Sequence, residues 1–132
     1  MKQIYKTLLK EAEKVRLKAY VPYSKFKVGA AVLSREGKIF SGCNIENASF
    51  GLTICAERVA LFKAVSEGYN RFMAMAIICD SADPCFPCGA CRQIINEFGN
   101  DITIICSNLE GKTVTKKISE LLPDAFTRNS LR

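Results

Sequence analysis

The stretch Thr53-Ile54-Cys55-Ala56-Glu57-Arg58 places a carboxylate two residues after a cysteine. Thirty-three residues after Cys55, the chain carries a second stretch, Pro87-Cys88-Gly89-Ala90-Cys91-Arg92-Gln93. Together they read Cys-x-Glu followed by Pro-Cys-x-x-Cys, which supplies three sulfur ligands and one acid/base carboxylate. We expect the rest of the fold to bring these residues together.

The placement of the cysteines favours a metal site. Cys55 and Cys88 each fall at or near the start of a predicted helix, and Cys91 follows Cys88 at a spacing that lets both sulfurs face the same way. The partial positive charge of a helix N-terminus lowers the pKa of a thiol and favours the thiolate. The pattern therefore predicts one Zn²⁺ per chain, with three sulfur ligands and one open position for water.

Glu57 lies too close to Cys55 to be an obvious fourth ligand, and we expect it to carry protons during catalysis. The chain has no histidine, so proton transfer near neutral pH must use a carboxylate, a lysine, a tyrosine or a cysteine. Three thiolates give a zinc site a net negative charge. We therefore expect Arg58 and Arg92, each next to a motif, to donate hydrogen bonds to the sulfurs.

The same residues leave alternatives open. With Cys85 included, the second stretch reads Cys-x-x-Cys-x-x-Cys, which also suits a closed structural zinc site or an iron–sulfur cluster. Glu57 would then be a buried structural carboxylate. The remaining cysteines lie in or at the ends of apolar stretches, and we expect them to be core residues. They are Cys43, Cys79 and Cys106.

The periodicity of the apolar residues predicts five strands, over residues 26–33, 39–43, 72–79, 102–106 and 113–116. It predicts four helices, over residues 3–20, 54–68, 88–98 and 118–122. Thr53 is the predicted N-cap of the second helix. A hairpin followed by alternating helices and strands indicates an α/β fold, a three-layer α/β/α sandwich around a mixed five-stranded sheet. We expect residues 1–132 to form a single domain.

The composition narrows the class of protein. With 48% hydrophobic and 24% charged residues in 132, the chain is typical of a globular protein. We expect no membrane association, because no apolar run approaches about 20 residues. We expect no signal peptide, because residues 1–15 are rich in lysine and glutamate and lack an apolar core. The seven cysteines indicate reduced thiols in the cytoplasm. The net charge of +6 is spread along the chain, so we expect no nucleic-acid partner.

The chain resembles the small homotetrameric cytidine deaminases, a family of zinc enzymes, over essentially its whole length. The resemblance implies hydrolysis of cytidine and 2′-deoxycytidine to uridine, 2′-deoxyuridine and ammonia, a step of pyrimidine salvage. Besides the two cysteine motifs, three segments carry it: Tyr23-Ser24-Lys25-Phe26-Lys27-Val28-Gly29-Ala30-Ala31, Asn44-Ile45-Glu46-Asn47-Ala48 and Leu121-Leu122-Pro123-Asp124-Ala125-Phe126.

The resemblance also implies contacts between the chain and a nucleoside. Asn44 and Glu46 would hydrogen-bond the ribose 3′-hydroxyl, and Phe26 would pack against the nucleoside. The backbone of Ala56 and the carboxyl of Glu57 would contact the edge of the pyrimidine. Glu57 would pass protons during attack at C4 of the ring.

Other contacts would cross between subunits of the implied homotetramer, whose active sites are shared. Phe126 would stack on the base in a neighbour's site, and Ala48 and Phe50 would border that site. The family often has tyrosine where this chain has Phe50. Two alternatives stay open: a deaminase of another cytosine nucleoside, of the blasticidin type, and a non-enzymatic interaction module with structural zinc.

Overall fold

A five-stranded sheet forms the centre of the computed structural model, which describes residues 1–131. The strands lie in the order β2-β1-β3-β4-β5, with β3 at the centre. Strands β3 and β4 are parallel, and all other neighbours are antiparallel. The predicted mixed sheet is therefore confirmed. The strands are β1 (Val28–Ser34), β2 (Ile39–Cys43), β3 (Phe72–Cys79), β4 (Thr103–Asn108) and β5 (Thr113–Lys117).

Four helices cover the sheet: α1 (Gln3–Arg16), α2 (Ala56–Ser66), α3 (Gly89–Asn96) and α4 (Ile118–Leu121). Successive residues of a strand point to opposite faces, so β1 contributes to two cores. Ala31 packs with Leu8 of α1 on one face, and Ala30 packs with residues of α2, α3 and α4 on the other. The predicted three-layer α/β/α sandwich is confirmed.

The first helix ends at Arg16, so the prediction that it extends to residue 20 is wrong. The backbone of Tyr20 pairs instead with the loop after β2. Its N–H donates to the carbonyl of Asn44 over 3.1 Å, and its carbonyl accepts from the N–H of Glu46 over 2.8 Å. Helical periodicity in the sequence cannot reveal this long-range pairing, because the partner lies more than twenty residues away.

The helix after the first cysteine motif begins at Ala56, and its N-cap is Cys55. The predicted cap at Thr53 is wrong, because the Thr53 hydroxyl accepts a hydrogen bond from the N–H of Asn47 in the preceding loop. Cys88 is likewise the N-cap residue of α3. A cysteine of each motif therefore stands at the start of a helix, near the positive end of the helix dipole.

Smaller differences concern the ends of strands and loops. The first strand starts at Val28 and not at residue 26, and the fourth extends to Asn108. The loop after β2 contains a short 3₁₀ turn, Phe50–Leu52, and a second such turn is Arg128–Leu131. No helix in the described part of the chain combines the length and the apolar character needed to cross a bilayer.

Candidate metal centre and its cleft

Three cysteine sulfurs meet where α2 and α3 begin. The Sγ atoms of Cys55, Cys88 and Cys91 all lie within 4.8 Å of one another, and those of Cys55 and Cys88 are 3.9 Å apart. A tetrahedral zinc with bonds of about 2.3 Å to sulfur requires sulfurs about 3.8 Å apart. The cluster therefore has the donor set and the spacing that Zn²⁺ needs. Among residues 1–131, which the structure describes, Cys85 is not part of this cluster.

The surroundings of the Cys55 sulfur favour negative charge. The thiol of Cys91 and the guanidinium of Arg58 hydrogen-bond Cys55 and lower its pKa to about 5. The Arg58 Nη2 atom lies 3.2 Å from the sulfur of Cys55. Cys91 is fully buried, and its hydrogen bond to Cys55 raises its own pKa. Arg58 is therefore the residue that compensates the charge of a Cys55 thiolate.

Glu57, in the first turn of α2, is 6% exposed. Burial raises the pKa of its carboxyl to about 7, and the neighbouring Cys55 thiolate acts in the same direction. A carboxyl with a pKa near neutrality can accept and release a proton at the same pH. The structure thus places a carboxyl suited to proton transfer beside the three clustered sulfurs.

A cleft of about 300 Å³ opens over this centre, at the lower end of the range for small-molecule sites. Three of the residues predicted to touch a nucleoside line it together with Glu57 and the ligands Cys55 and Cys88. Those three are Phe26, Asn44 and Ala56.

The sequence analysis missed Phe86, which also lines the cleft and is 40% exposed. The sequence signal for Phe86 was the position of an aromatic side chain directly before the Pro87-Cys88 motif.

Asn44 and Glu46 hold the segment before β1 in place. The Asn44 amide donates to the carbonyl of Phe26 over 2.8 Å and accepts from the N–H of Val28 over 2.9 Å. Glu46 accepts from the backbone N–H groups of Tyr23 and Ser24, each over 3.1 Å. A hydrogen bond from the Ser24 hydroxyl lowers the pKa of this carboxyl. The two side chains thus shape one wall of the cleft.

Glu46 itself faces an adjoining cavity of about 430 Å³, which Phe50 and Thr53 also line. The ring of Phe50 is 75% exposed and meets the ring of Tyr23 edge to face, with centroids 6.1 Å apart. Ala48 is exposed as well. The structure therefore does not bring Glu46, Ala48 or Phe50 into the lining of the Glu57 cleft.

Phe126 also lies outside the cleft of its own chain, and it is 59% exposed. Its backbone carbonyl accepts a hydrogen bond from the Gln93 side chain over 2.7 Å.

The hydrogen bonds of Arg92 go to carbonyls and not to a sulfur. Its Nε donates to Pro87 over 2.7 Å and its Nη1 to Leu121 over 2.9 Å. This differs from the predicted contact with a ligand sulfur, because the two carbonyls already engage the guanidinium.

Four cysteines lie outside the cluster, and burial affects the pKa of three of them. Burial raises the pKa of Cys85 to about 11 and that of Cys106 to about 12, and it also raises the pKa of Cys43. Cys79 and Cys106 are fully buried in β3 and β4. Within residues 1–131, none of these four cysteines belongs to the sulfur cluster.

Residues 2–107 match the family model described as the cytidine and deoxycytidylate deaminase zinc-binding region. The chain belongs to this deaminase family. The matched residues contain all three clustered cysteines and Glu57. A deaminase of this family carries a zinc-binding region, and here the observed sulfurs fit zinc in number, chemistry and spacing.

Individual members of the deaminase family cover almost the whole chain. A cytidine deaminase of Sporosarcina psychrophila is 50% identical over 94% of this chain and 92% of its own length. A cytidine deaminase of Halalkalibacterium halodurans is 51% identical over 94% of this chain and 95% of its own length. The crystal structure of cytidine deaminase from Burkholderia pseudomallei superposes with a TM-score of 0.90 at 46% identity, covering 96% of this chain and 100% of that one. The fold is thus the cytidine deaminase fold.

Proposed function

We propose that this protein hydrolyses cytidine and 2′-deoxycytidine to uridine, 2′-deoxyuridine and ammonia, with zinc held by Cys55, Cys88 and Cys91. The observation that carries the proposal is the buried Glu57 beside three clustered sulfurs in a cleft of nucleoside size. Proteins about half identical to this chain are named cytidine deaminase, which supports the same substrate here.

The chemistry needs a nucleophile and a proton carrier. When bound to the three sulfurs, zinc supplies the positive charge that makes water a nucleophile at neutral pH. Glu57 accepts one proton from water as the water oxygen bonds to C4 of the ring, and it delivers this proton to N3. It then transfers the remaining proton on that oxygen to the amino group, so that C4 is left with a carbonyl oxygen. The C4–N bond then breaks and ammonia leaves. The raised pKa of Glu57 suits a group that takes up and releases protons in one cycle.

Recognition of the nucleoside would use atoms that the internal hydrogen bonds leave available. The Asn44 amide nitrogen carries two hydrogens, and the bond to Phe26 uses one of them. The second can reach the ribose 3′-hydroxyl. The Glu46 carboxylate has about four acceptor sites, so it can also accept from that hydroxyl. The Phe26 ring and the backbone of Ala56 line the cleft where the sugar and the pyrimidine edge would lie.

The active site would be shared between subunits of a homotetramer. A cleft that binds a small molecule well buries about 70–90% of its surface, and three exposed residues of this chain would help to close a neighbour's cleft. Phe126 would stack on the base there, and Ala48 and Phe50 would border it. The exposure of these side chains supports this arrangement, because the chain's own core does not use them.

The assay that tests the function follows the ultraviolet absorbance of cytidine with zinc-loaded protein. We expect loss of the cytidine absorbance, release of ammonia, and a similar result with 2′-deoxycytidine. This would place the reaction in pyrimidine salvage. Bound zinc without turnover would support the structural-zinc module, and turnover of blasticidin S without turnover of cytidine would support the alternative substrate.

A further inference from the structure

The two residues that follow the ligand Cys91 both reach the end of the chain. Arg92 bridges two carbonyls, that of Pro87 over 2.7 Å and that of Leu121 over 2.9 Å. The Gln93 side chain donates to the carbonyl of Phe126 over 2.7 Å. Helix α3 therefore contacts the C-terminal segment, residues 118–131, through two adjacent side chains.

The Arg92 contact joins two positions that need a hydrogen-bond donor. Leu121 ends the short helix α4, and carbonyls at a helix end lack partners within the helix. Pro87 comes directly before the ligand Cys88. Because the guanidinium carries several N–H groups in a rigid plane, one arginine serves both carbonyls, whereas a lysine offers a single charged group. Arg92 thus connects the start of the metal-binding helix to the end of α4.

The Gln93 contact matters because the end of the segment has few other attachments. The N–H groups of Thr127 and Ser130 bond within the 3₁₀ turn region. Among the hydrogen bonds described for residues 123–131, the one from Gln93 is the bond that reaches a different element. It holds the backbone of Phe126, while the ring stays 59% exposed. The backbone is thereby fixed and the ring is presented outward.

The turn before Phe126 directs the chain back towards α3. Asp124 has a φ of 54°, in the left-handed region that aspartate tolerates better than most residues. Together with Pro123, it reverses the chain after α4, and the residues that follow lie against Asn96 and Glu97 at the end of α3.

We propose that Arg92 and Gln93 are positioning residues that anchor the C-terminal segment to the metal-binding helix and so set where the Phe126 ring is presented. The effect on substrate binding rests on the proposed function, in which that ring covers the base in a neighbour's cleft. The anchor itself is a property of the single chain and is tested separately.

The anchor is tested by hydrogen exchange on the zinc-loaded protein. Gln93→Met keeps the length of the side chain and removes the donor, and Arg92→Lys removes the two-carbonyl bridge. We expect peptides covering residues 118–131 to exchange about 2- to 12-fold faster in either variant, the factor that corresponds to one hydrogen bond. Peptides from β3 and the zinc content should not change. Gln3→Glu, at an exposed position of α1, is the matched control and should exchange like the wild type.

The positioning role is tested by kinetics in two backgrounds. We expect Gln93→Met to raise KM for cytidine by about 2- to 12-fold, the factor for one hydrogen bond, with little change in kcat. In a Phe126→Ala protein, the same substitution should have no further effect on KM. Unchanged exchange of residues 118–131 would overturn the anchor. The positioning role would be overturned if Gln93→Met left KM unchanged in the wild-type background. It would also be overturned if Gln93→Met raised KM equally in the wild-type and Phe126→Ala backgrounds. Unchanged KM in Phe126→Ala alone would count against the proposed shared site, and the exchange experiment would still decide the anchor.

Discussion

At the scale of single residues, Glu57 and the three clustered sulfurs define the chemistry. Burial keeps the Glu57 carboxyl from ionising as readily as an exposed one, and Arg58 stabilises the Cys55 thiolate next to it. In a chain without histidine, no other buried acid is described beside the cluster within residues 1–131. In the proposed reaction, proton transfer therefore depends on one side chain.

Replacing Glu57 should separate folding from catalysis. We expect Glu57→Gln to retain zinc and the native fold, because the amide has the same shape and the residue is not in the sulfur cluster. Turnover should fall by at least about 10²–10⁴-fold, the contribution of a general acid/base group. The measurements are zinc content by mass spectrometry and cytidine turnover on the same sample. Near-normal activity in a zinc-loaded sample would remove Glu57 from the mechanism.

The spare cysteine gives a second prediction. Cys85 lies outside the sulfur cluster, and its thiol stays protonated at neutral pH. We expect Cys85→Ser to keep one zinc per chain and most of the activity. The same substitution at Cys55, Cys88 or Cys91 should lose the metal. Loss of zinc from Cys85→Ser would instead favour a closed structural site.

The sequence alone predicted the sulfur cluster and a hydrogen bond from Arg58 to one of its sulfurs, but not the partners of Arg92. The spacing of Cys88 and Cys91 on one helical turn is a local property, so it can be read from the motif. The bond between Arg92 and Leu121 spans 29 residues, and no local pattern encodes it. Asn44 and Glu46 are similar cases, since their partners lie about twenty residues earlier in the chain.

At the scale of elements, the helices approach the sheet closely through small residues. A Cβ atom added to Gly29 in β1 would lie 1.9 Å from the carbonyl oxygen of Ala12 in α1. At Gly42 in β2, an added Cβ would lie 2.5 Å from the backbone nitrogen of Ala60 in α2. Glycine at these two positions sets the distance of α1 and α2 from the sheet, and hence the place where α2 begins at the metal centre.

Adding one methyl group at Gly29 should therefore destabilise the fold. We expect Gly29→Ala to lower the free energy of unfolding by about 1–3 kcal/mol, because α1 must shift away from β1. Urea denaturation of the zinc-loaded protein measures the change. Gly51→Ala is the matched control, since an added Cβ there has open space around it. Equal stability of the two variants would contradict the close approach of α1.

Prediction of the elements succeeded where their limits are set locally. Strands β2 and β3 have the predicted bounds, because turns and apolar composition define both ends. The ends of α1 and α2 were predicted incorrectly, because Tyr20 and Thr53 bond to the loop after β2. Such tertiary contacts override the helical pattern, and they become visible only in the folded chain.

At the scale of the whole molecule, the exposed Phe126 would link one subunit of the proposed homotetramer to the site of another. We expect Phe126→Ala to raise KM for cytidine by the factor that corresponds to about 1–3 kcal/mol, the value of one base–aromatic stack. Mixing this variant with an excess of Glu57→Gln chains should restore tighter binding at some sites, because the inactive chain supplies an intact Phe126. Light scattering under assay conditions checks the assembly. An active monomer, or mixtures without rescue, would exclude a shared site.

The hydrogen bonds of Asn44 and Glu46 to the segment before β1 also limit how this protein can change its sugar specificity. Each side chain would meet the ribose and at the same time fixes the wall that Phe26 belongs to. A substitution of Asn44 or Glu46 that improves contact with a modified sugar would remove a hydrogen bond that shapes the cleft. The affinity for the sugar and the shape of the cleft therefore cannot be varied independently at these two positions. New sugar preferences are therefore more accessible through neighbours without this double role, such as Phe26.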